Sequence, residues 1–221
     1  MNYSSWEKAT KIRPSLTLSH NLNSKKLFEL YFFKNLKNKQ FFDMLYLNEI
    51  SFSLQNNIHI SFLYDQESYH LISLIISAIY SYTLVYQYDY NKLKIHILLD
   101  NNTRDIVPEY NGDIQKYIQF SKAFNVCGIT LPNKDLIFLT RKEDIIRLLF
   151  HELNHYTHND RVNYNKRIKS IFDTEVSEVI PAEIYAEYIS IVDSCYFISS
   201  IYQLNPDLLL EQEKDYNASL I

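Results

Sequence analysis

The sequence predicts a mixed α/β protein of the α+β class, because strand-like and helix-like patterns both occur along the chain. Residues 56–65 and 92–100 alternate apolar with polar side chains, which is the period of a strand with one buried face. Residues 68–87 lie between these segments and include no Asp, Glu, Lys or Arg, as expected for a helix in a protein core. A further apolar pattern with helical spacing follows at Ile146, Leu149, Leu153 and Tyr156. We therefore expect a small sheet accompanied by several helices.

The remaining elements follow from local composition. Between residues 24 and 50, apolar residues recur at spacings of three and four with lysines between them, which favours one or two amphipathic helices. Residues 101–113 are polar and include a proline and a glycine, so they are predicted to form a loop. The segment "DLIFLT", residues 135–140, is predicted to be a strand that follows a turn between Gly128 and Pro132. At the edge of a sheet, this strand could bind an extended peptide by backbone hydrogen bonds.

The uncharged segment 68–87 also raises the question of a membrane, because its length approaches the roughly 20 residues of a membrane span. It contains several serines and tyrosines as well as His70, and acidic residues flank it at Glu67 and Asp89. These polar groups favour a buried helix over a membrane span.

Composition excludes several classes of partner. The formal net charge is -4 and the pI is near 6.0, so the chain has no basic surplus that would favour nucleic acid. The two cysteines, Cys127 and Cys195, form no paired ligand pattern, which is typical of a reducing compartment. The first twenty residues lack the pattern of a signal peptide, so we expect an intracellular, cytoplasmic protein. Packaging into a virion or export by another route would leave the same pattern.

The residues with the clearest chemistry are "HELNH", residues 151–155. On a helix, His151 and His155 lie one turn apart, about 6 Å along the axis, and can bind one ion together. Glu152 lies beside them, where its carboxylate can accept a proton from a metal-bound water. This is the HExxH arrangement of zinc peptidases, and a chance match is expected in about one such chain in a hundred.

A helix start is predicted just before this motif. Thr140 and Glu143 have the T-x-x-E spacing of a capping box, and Asp144 adds a second acidic residue in the predicted first turn. The motif is therefore placed on a helix, as convergence of its two histidines requires.

The third ligand must come from elsewhere, because catalytic zinc usually takes three protein ligands and leaves one position for water. His158 lies about 10 Å along the axis from the first histidine of the motif, too far to share its ion. The metzincin pattern HExxHxxGxxH fails because His158 and Arg161 replace its glycine and its last histidine. A second helix is predicted from Pro181, and Glu183 and Glu187 lie one turn apart on one of its faces.

These two helices together resemble the gluzincins, the thermolysin-like branch of the HExxH zinc metallopeptidases, or zincins. In that family a glutamate of an ExxxD pattern on a second helix binds the zinc, and the acid one turn later orients a zinc-bound histidine. The resemblance implies one Zn²⁺, with Glu183 as the third ligand and Glu187 as the orienting acid. Glu187 replaces the aspartate of the pattern, and Ala182 replaces the asparagine that precedes the family's glutamate. Glu175, Glu178 and Glu187 therefore remain alternative ligands.

The resemblance further implies a single zincin-like domain over residues 1–221. Its expected parts are a helical N-terminal segment (1–50), a sheet with a core helix (55–140), the metal-site helices (141–201) and a C-terminal tail (202–221).

The activity implied is that of a zinc-dependent peptidase, which hydrolyses peptide bonds of a protein or peptide substrate with Glu152 as the base. Related enzymes use a tyrosine or histidine to stabilise the oxyanion, and Tyr156, Tyr164 and Tyr185 are the candidates here. One alternative is a zincin-like structural or binding protein that keeps the metal without catalysis. The other, less favoured, is a membrane-associated structural protein built around residues 68–87.

Overall fold

The computed structural model describes residues 2–19, 23–31, 47–54, 57–88, 90, 92–99, 128–140, 142, 144–157 and 181–219. These residues contain six α-helices and six β-strands, so the fold is mixed α/β, as the sequence predicts. The chain divides into two compact units, each assembled from separate stretches. The sheet unit comprises residues 14–76 and 89–145, and the helical unit comprises residues 1–13, 77–88 and 146–221.

The sheet unit is built on one mixed sheet. Its strands are β1 (Leu16–Leu18), β2 (Asn48–Leu54), β3 (Ile58–Tyr64), β4 (Leu93–Leu99), β5 (Gly128–Leu131) and β6 (Leu136–Leu139). Their order across the sheet is β1-β2-β3-β4-β6-β5. The β3–β4 and β4–β6 pairs are parallel, and the other pairs are antiparallel. The chain passes from β3 to β4 through helix α3 (Tyr69–Tyr86), because parallel neighbours need a crossover connection.

The sequence predicts one or two helices over residues 24–50 and a helical segment over residues 1–50, and the described part of this region confirms these predictions only in part. Residues 20–22 and 32–46 lie outside the described residues. Helices α1 (Tyr3–Thr10) and α2 (Ser24–Tyr31) lie there as expected. However, β1 and the start of β2 also lie in this segment, which was predicted to be wholly helical. β2 pairs with β3 over its whole length, so the ladder satisfies its backbone groups. Local apolar spacing does not report such a partner.

The prediction of an edge position for strand 135–140 was wrong. β6 lies between β4 and β5, and all four of its residues are buried. Its backbone is paired on both sides, which removes the free edge that an added peptide strand would need.

One face of the sheet is covered by α2. Phe28 of this helix is fully buried and packs edge-on against Phe138 of β6, with ring centroids 5.3 Å apart. Leu63, Leu98 and Leu136 complete the same apolar cluster, one from each of three adjacent strands. Burial of side chains of this size stabilises the unit by about 1.5–3 kcal/mol each.

A buried polar network joins the start of α2 to three strands. The Ser24 Oγ atom lies 2.8 Å from Nδ1 of His96 on β4 and donates a hydrogen bond of 2.6 Å to Ser61 Oγ on β3. Ser51 Oγ on β2 donates to the same Ser61 oxygen at 2.9 Å, and the Ser24 amide donates to Glu49 Oε1 at 3.1 Å. The network therefore satisfies polar groups that would otherwise be buried without partners.

His96 should make the stability of the protein depend on pH. Burial chiefly, with Lys94 nearby, lowers the pKa of His96 from 6.5 to about 4. The unfolded chain takes up this proton near pH 6.5 and the folded chain only near pH 4, so the contribution of His96 to the unfolding free energy decreases as pH falls between these values. We expect the difference in unfolding free energy between the wild type and His96→Gln to change by up to about 3 kcal/mol, measured by urea unfolding at pH 7.5, 6, 5 and 4.

The variant His96→Gln lacks this titrating group, so the slope of its unfolding free energy against pH should differ from the wild-type slope between pH 6.5 and pH 4. Equal slopes for wild type and His96→Gln would contradict the assignment.

The helical unit is held by an aromatic cluster. Its helices α4 (Ile145–Thr157), α5 (Pro181–Tyr202) and α6 (Pro206–Ser219) are accompanied by α1 and the last part of α3. Phe150 on α4 contacts Trp6 on α1 and Phe197 on α5, at centroid distances of 5.1 Å and 5.9 Å. All three rings are fully buried.

The segment predicted as a C-terminal tail contains α6, which begins at a proline as helices often do.

The helix of the HELNH motif begins later than predicted. Its first residue is Ile145, and Asp144 before it has a left-handed backbone (φ 53°), so Asp144 lies outside the first turn. Thr140 follows β6 directly and is buried, so its position is determined by the sheet. The start that the capping box predicted was therefore too early, and Glu143 lies outside the described residues.

Helix α3 corresponds to the long uncharged segment. Gln66–Tyr86 is long and apolar enough for a membrane span by length and composition, and half of its most apolar window is buried inside the protein. The core helix of a soluble protein fits the same description, so these properties alone do not indicate a membrane.

Candidate metal centre

Two helices of the helical unit bring the three predicted ligands together. His151 and His155 lie on α4, and Glu183 lies in the first turn of α5. The two imidazole Nε2 atoms are 2.9 Å apart, and Glu183 Oε2 lies 3.3 Å from each of them. The three residues thus offer one ligand atom each, all within 4.8 Å of one another.

This triangle fits a tetrahedral zinc ion. Zinc holds nitrogen and oxygen ligands at about 2.0–2.2 Å, which places neighbouring ligand atoms about 3.3–3.5 Å apart. Both N···O distances of 3.3 Å match this value. The N···N distance is shorter than this value by about 0.4 Å, and small side-chain rotations would increase it to the separation that zinc needs. Two imidazoles and one carboxylate are also a donor set that suits zinc and leaves a fourth position.

Glu187, one turn after Glu183, contacts the other side of the first histidine. Its Oε2 atom lies 3.2 Å from His151 Nδ1, and its Oε1 atom lies 3.8 Å from Arg147 Nε. A carboxylate on Nδ1 favours the tautomer with the proton on that nitrogen. The Nε2 lone pair of His151 is then available on the side of His155 and Glu183.

The charges around His151 favour a cation. Burial by itself lowers the pKa of His151, but the contact with Glu187 and the charges of Glu152, Glu187 and Glu183 outweigh it, and the pKa is raised. The same contact with His151 lowers the pKa of Glu187, and Arg147 contributes in the same direction. The site therefore attracts positive charge, whether a proton or a metal ion.

The cluster is open to solvent on one side. The side chains of His151 and His155 are 16% and 17% exposed, whereas that of Glu183 is 54% exposed. Solvent therefore reaches the carboxylate of Glu183 more readily than the two imidazoles. Glu152, the predicted base, is buried on α4, and its charge acts on the neighbouring His151.

The tyrosine candidates for the oxyanion lie as follows. Tyr156 is buried, and its ring packs edge-on against Tyr88 at 6.1 Å. Tyr185 is near Tyr86, whose pKa is raised mainly by burial and further by Asp193 and Tyr185 among its neighbours. Tyr164 lies outside the described residues, as do Glu175, Glu178 and His158.

Sequence reasoning missed three residues around the ligands: Arg147, Tyr82 and Asn154. Arg147 stands four positions before His151, a spacing that could have indicated a shared helix face. Tyr82 is 72 positions from Asn154, to which it donates a hydrogen bond, and no local pattern predicts such a pair.

Comparisons with known proteins add one relative. The chain is 30% identical over 155 residues to an uncharacterized protein of Acanthamoeba polyphaga mimivirus. The match covers 65% of this chain and 40% of the relative, so the chain spans well under half of that protein's length. No protein-family model matches the chain. No solved structure matches it significantly.

The three-residue cluster predicts a defined metal content. We expect about one zinc per wild-type chain by mass spectrometry, and Glu183→Ala should lose most of it, because two histidines alone hold zinc weakly. Glu211→Ala on the exposed surface of α6 serves as the matched control and should keep the full amount. Full zinc in Glu183→Ala would move the third ligand to another residue.

Proposed function

We propose that the protein is a zinc-dependent peptidase with a zincin-like centre, which hydrolyses peptide bonds of a protein or peptide substrate. The observation that supports this proposal most directly is the triangle of His151, His155 and Glu183, built on an HExxH helix and the helix after it. A chance HExxH sequence has no reason to face a carboxylate at ligand distance from a separate helix.

Each residue has a distinct part in this proposal. His151, His155 and Glu183 would hold the ion. Zinc bound there would supply Lewis-acid chemistry, since it lowers the pKa of a bound water and polarises the substrate carbonyl group. Glu152 would accept the proton of the attacking water and pass it to the leaving amine.

The contacts of the two glutamates favour Glu183 over Glu187 as the third ligand. Glu183 Oε2 is equidistant from both Nε2 atoms, whereas the two oxygens of Glu187 face His151 Nδ1 and Arg147. Glu187 would keep the proton on Nδ1 and so orient the imidazole of His151. Arg147 partly neutralises Glu187, which further reduces its competition for the ion.

The alternative is a domain that binds the metal for a structural or binding role. Glu152 separates the two functions, because it is not needed to hold the ion but is needed to move the proton.

A peptide substrate would not bind by addition to β6, since that strand is interior.

The variant Glu152→Gln tests catalysis apart from metal binding. We expect zinc content to stay near one per chain while kcat/KM for peptide hydrolysis falls by about 10²–10⁴-fold, because the amide cannot accept a proton. Cleavage of a mixed peptide library, followed by mass spectrometry, measures the activity without assuming a specificity.

Glu211→Gln makes the same substitution on α6 and should cleave at the wild-type rate. Unchanged hydrolysis by Glu152→Gln would exclude Glu152 as the base. A zinc-loaded wild type that cleaves nothing in the library would favour the non-catalytic alternative.

A further inference from the structure

We propose that Asn154 and Tyr82 are positioning residues, which hold the two metal-binding histidines at a preset separation. This inference rests on the proposed zinc site and names residues that act on it without touching the ion. It follows from a chain of buried hydrogen bonds within the helical unit.

Asn154 connects the peptide units that lead into both histidines. Its side-chain Nδ2 donates to the carbonyl oxygen of Phe150 at 2.8 Å, and that carbonyl belongs to the peptide bond with His151. Asn154 itself directly precedes His155 in the chain. One carboxamide therefore fixes the start of each ligand relative to the other. In a regular helix the Phe150 carbonyl also accepts the Asn154 amide, so the side chain adds a second bond to this turn.

Tyr82 fixes the orientation of that carboxamide. A carbonyl oxygen can only accept hydrogen bonds, so the amide nitrogen of Asn154 must face Phe150 and its Oδ1 must face away. The Tyr82 hydroxyl donates to this Oδ1 at 3.0 Å. Rotation of the carboxamide would break both bonds at once.

The two hydrogen bonds, from Tyr82 to Asn154 and from Asn154 to Phe150, form what we call the brace, and they are shielded from water. Asn154, Tyr82 and Phe150 are all fully buried, so no solvent molecule replaces a lost partner. The Tyr82 ring stacks on Phe150 with centroids 5.6 Å apart and on Tyr86 with centroids 4.2 Å apart. These contacts hold the phenol in place when its hydroxyl alone is removed. Removal of the hydroxyl takes away the hydrogen bond that Tyr82 donates to the Asn154 oxygen, and with it one of the two restraints on the carboxamide described above.

The consequence for the metal is an entropic one. A ligand pair held within about 0.4 Å of the separation that zinc needs requires only a small side-chain adjustment on binding, whereas a pair that samples several separations must be ordered by the ion. Loss of the brace should therefore weaken zinc binding by about tenfold, at the lower end of the range for groups that orient metal ligands. A merely structural bond would lower the stability of the metal-free protein and leave zinc affinity unchanged.

The experiment compares zinc dissociation constants, measured by competition with a chromophoric chelator, in the wild type, Tyr82→Phe, Asn154→Ala and the double variant. Tyr86→Phe is the matched control, since it removes a half-buried hydroxyl one turn along α3 that donates to Asp193 Oδ2 at 2.5 Å. Urea unfolding of each metal-free protein and the visible spectrum of each cobalt-substituted protein are recorded in parallel.

We expect both single variants to bind zinc about tenfold more weakly, with a changed cobalt spectrum, and the double variant to be no worse than Asn154→Ala. Tyr86→Phe should lose stability but bind zinc as the wild type does. Wild-type zinc affinity in Tyr82→Phe, or additive losses of affinity in the double variant, would contradict the positioning role of Tyr82 and Asn154. The proposed zinc site would be unaffected by either result. A wild type that binds no zinc would instead refute the proposed function and the brace with it.

Discussion

The packing of Phe150 is the contact on which the candidate metal centre depends. This residue directly precedes His151, and its ring lies among Trp6, Phe197 and Tyr82. It therefore fixes α4 against α1, α5 and the end of α3 at the turn where the first ligand begins. Aromatic pairs of this kind contribute about 0.5–1.5 kcal/mol each beyond the burial of their area. This docking, together with the contacts of Glu187 with His151 and Arg147, keeps Glu183 on α5 within reach of α4.

The candidate site combines two mostly buried imidazoles with an accessible carboxylate. Both histidines lie on α4, whereas Glu183 lies near the start of α5 and is half exposed. The imidazoles would define where an ion can bind, and the exposed carboxylate is within reach of solvent. Glu187 and Arg147 add a charged contact on the far side of His151, so the orientation of that ring depends on α5 as well.

Two properties of the proposed enzyme are carried by different residues. In this proposal, metal binding would depend on His151, His155 and Glu183, and proton transfer would depend on Glu152. A chain can therefore keep the first property and lose the second, which is why the presence of the ion by itself would not establish hydrolysis. The name of the viral relative, which is similar over 155 residues, describes no activity, so the proposed function depends on the chemistry of these four residues.

The sequence by itself determined the elements with a local signature. These are the apolar–polar alternation of β3 and β4, the absence of charged residues in α3 and the spacing of His151 and His155. Each is read from residues a few positions apart, and together they predict the mixed α/β fold. Only the tertiary structure decided that β6 is interior, that residues 48–50 join a strand and that α4 begins at Ile145. It also placed Glu183 against both imidazoles and Tyr82 against Asn154. Each of these depends on partners far away along the chain, and local spacing carries no information about such partners.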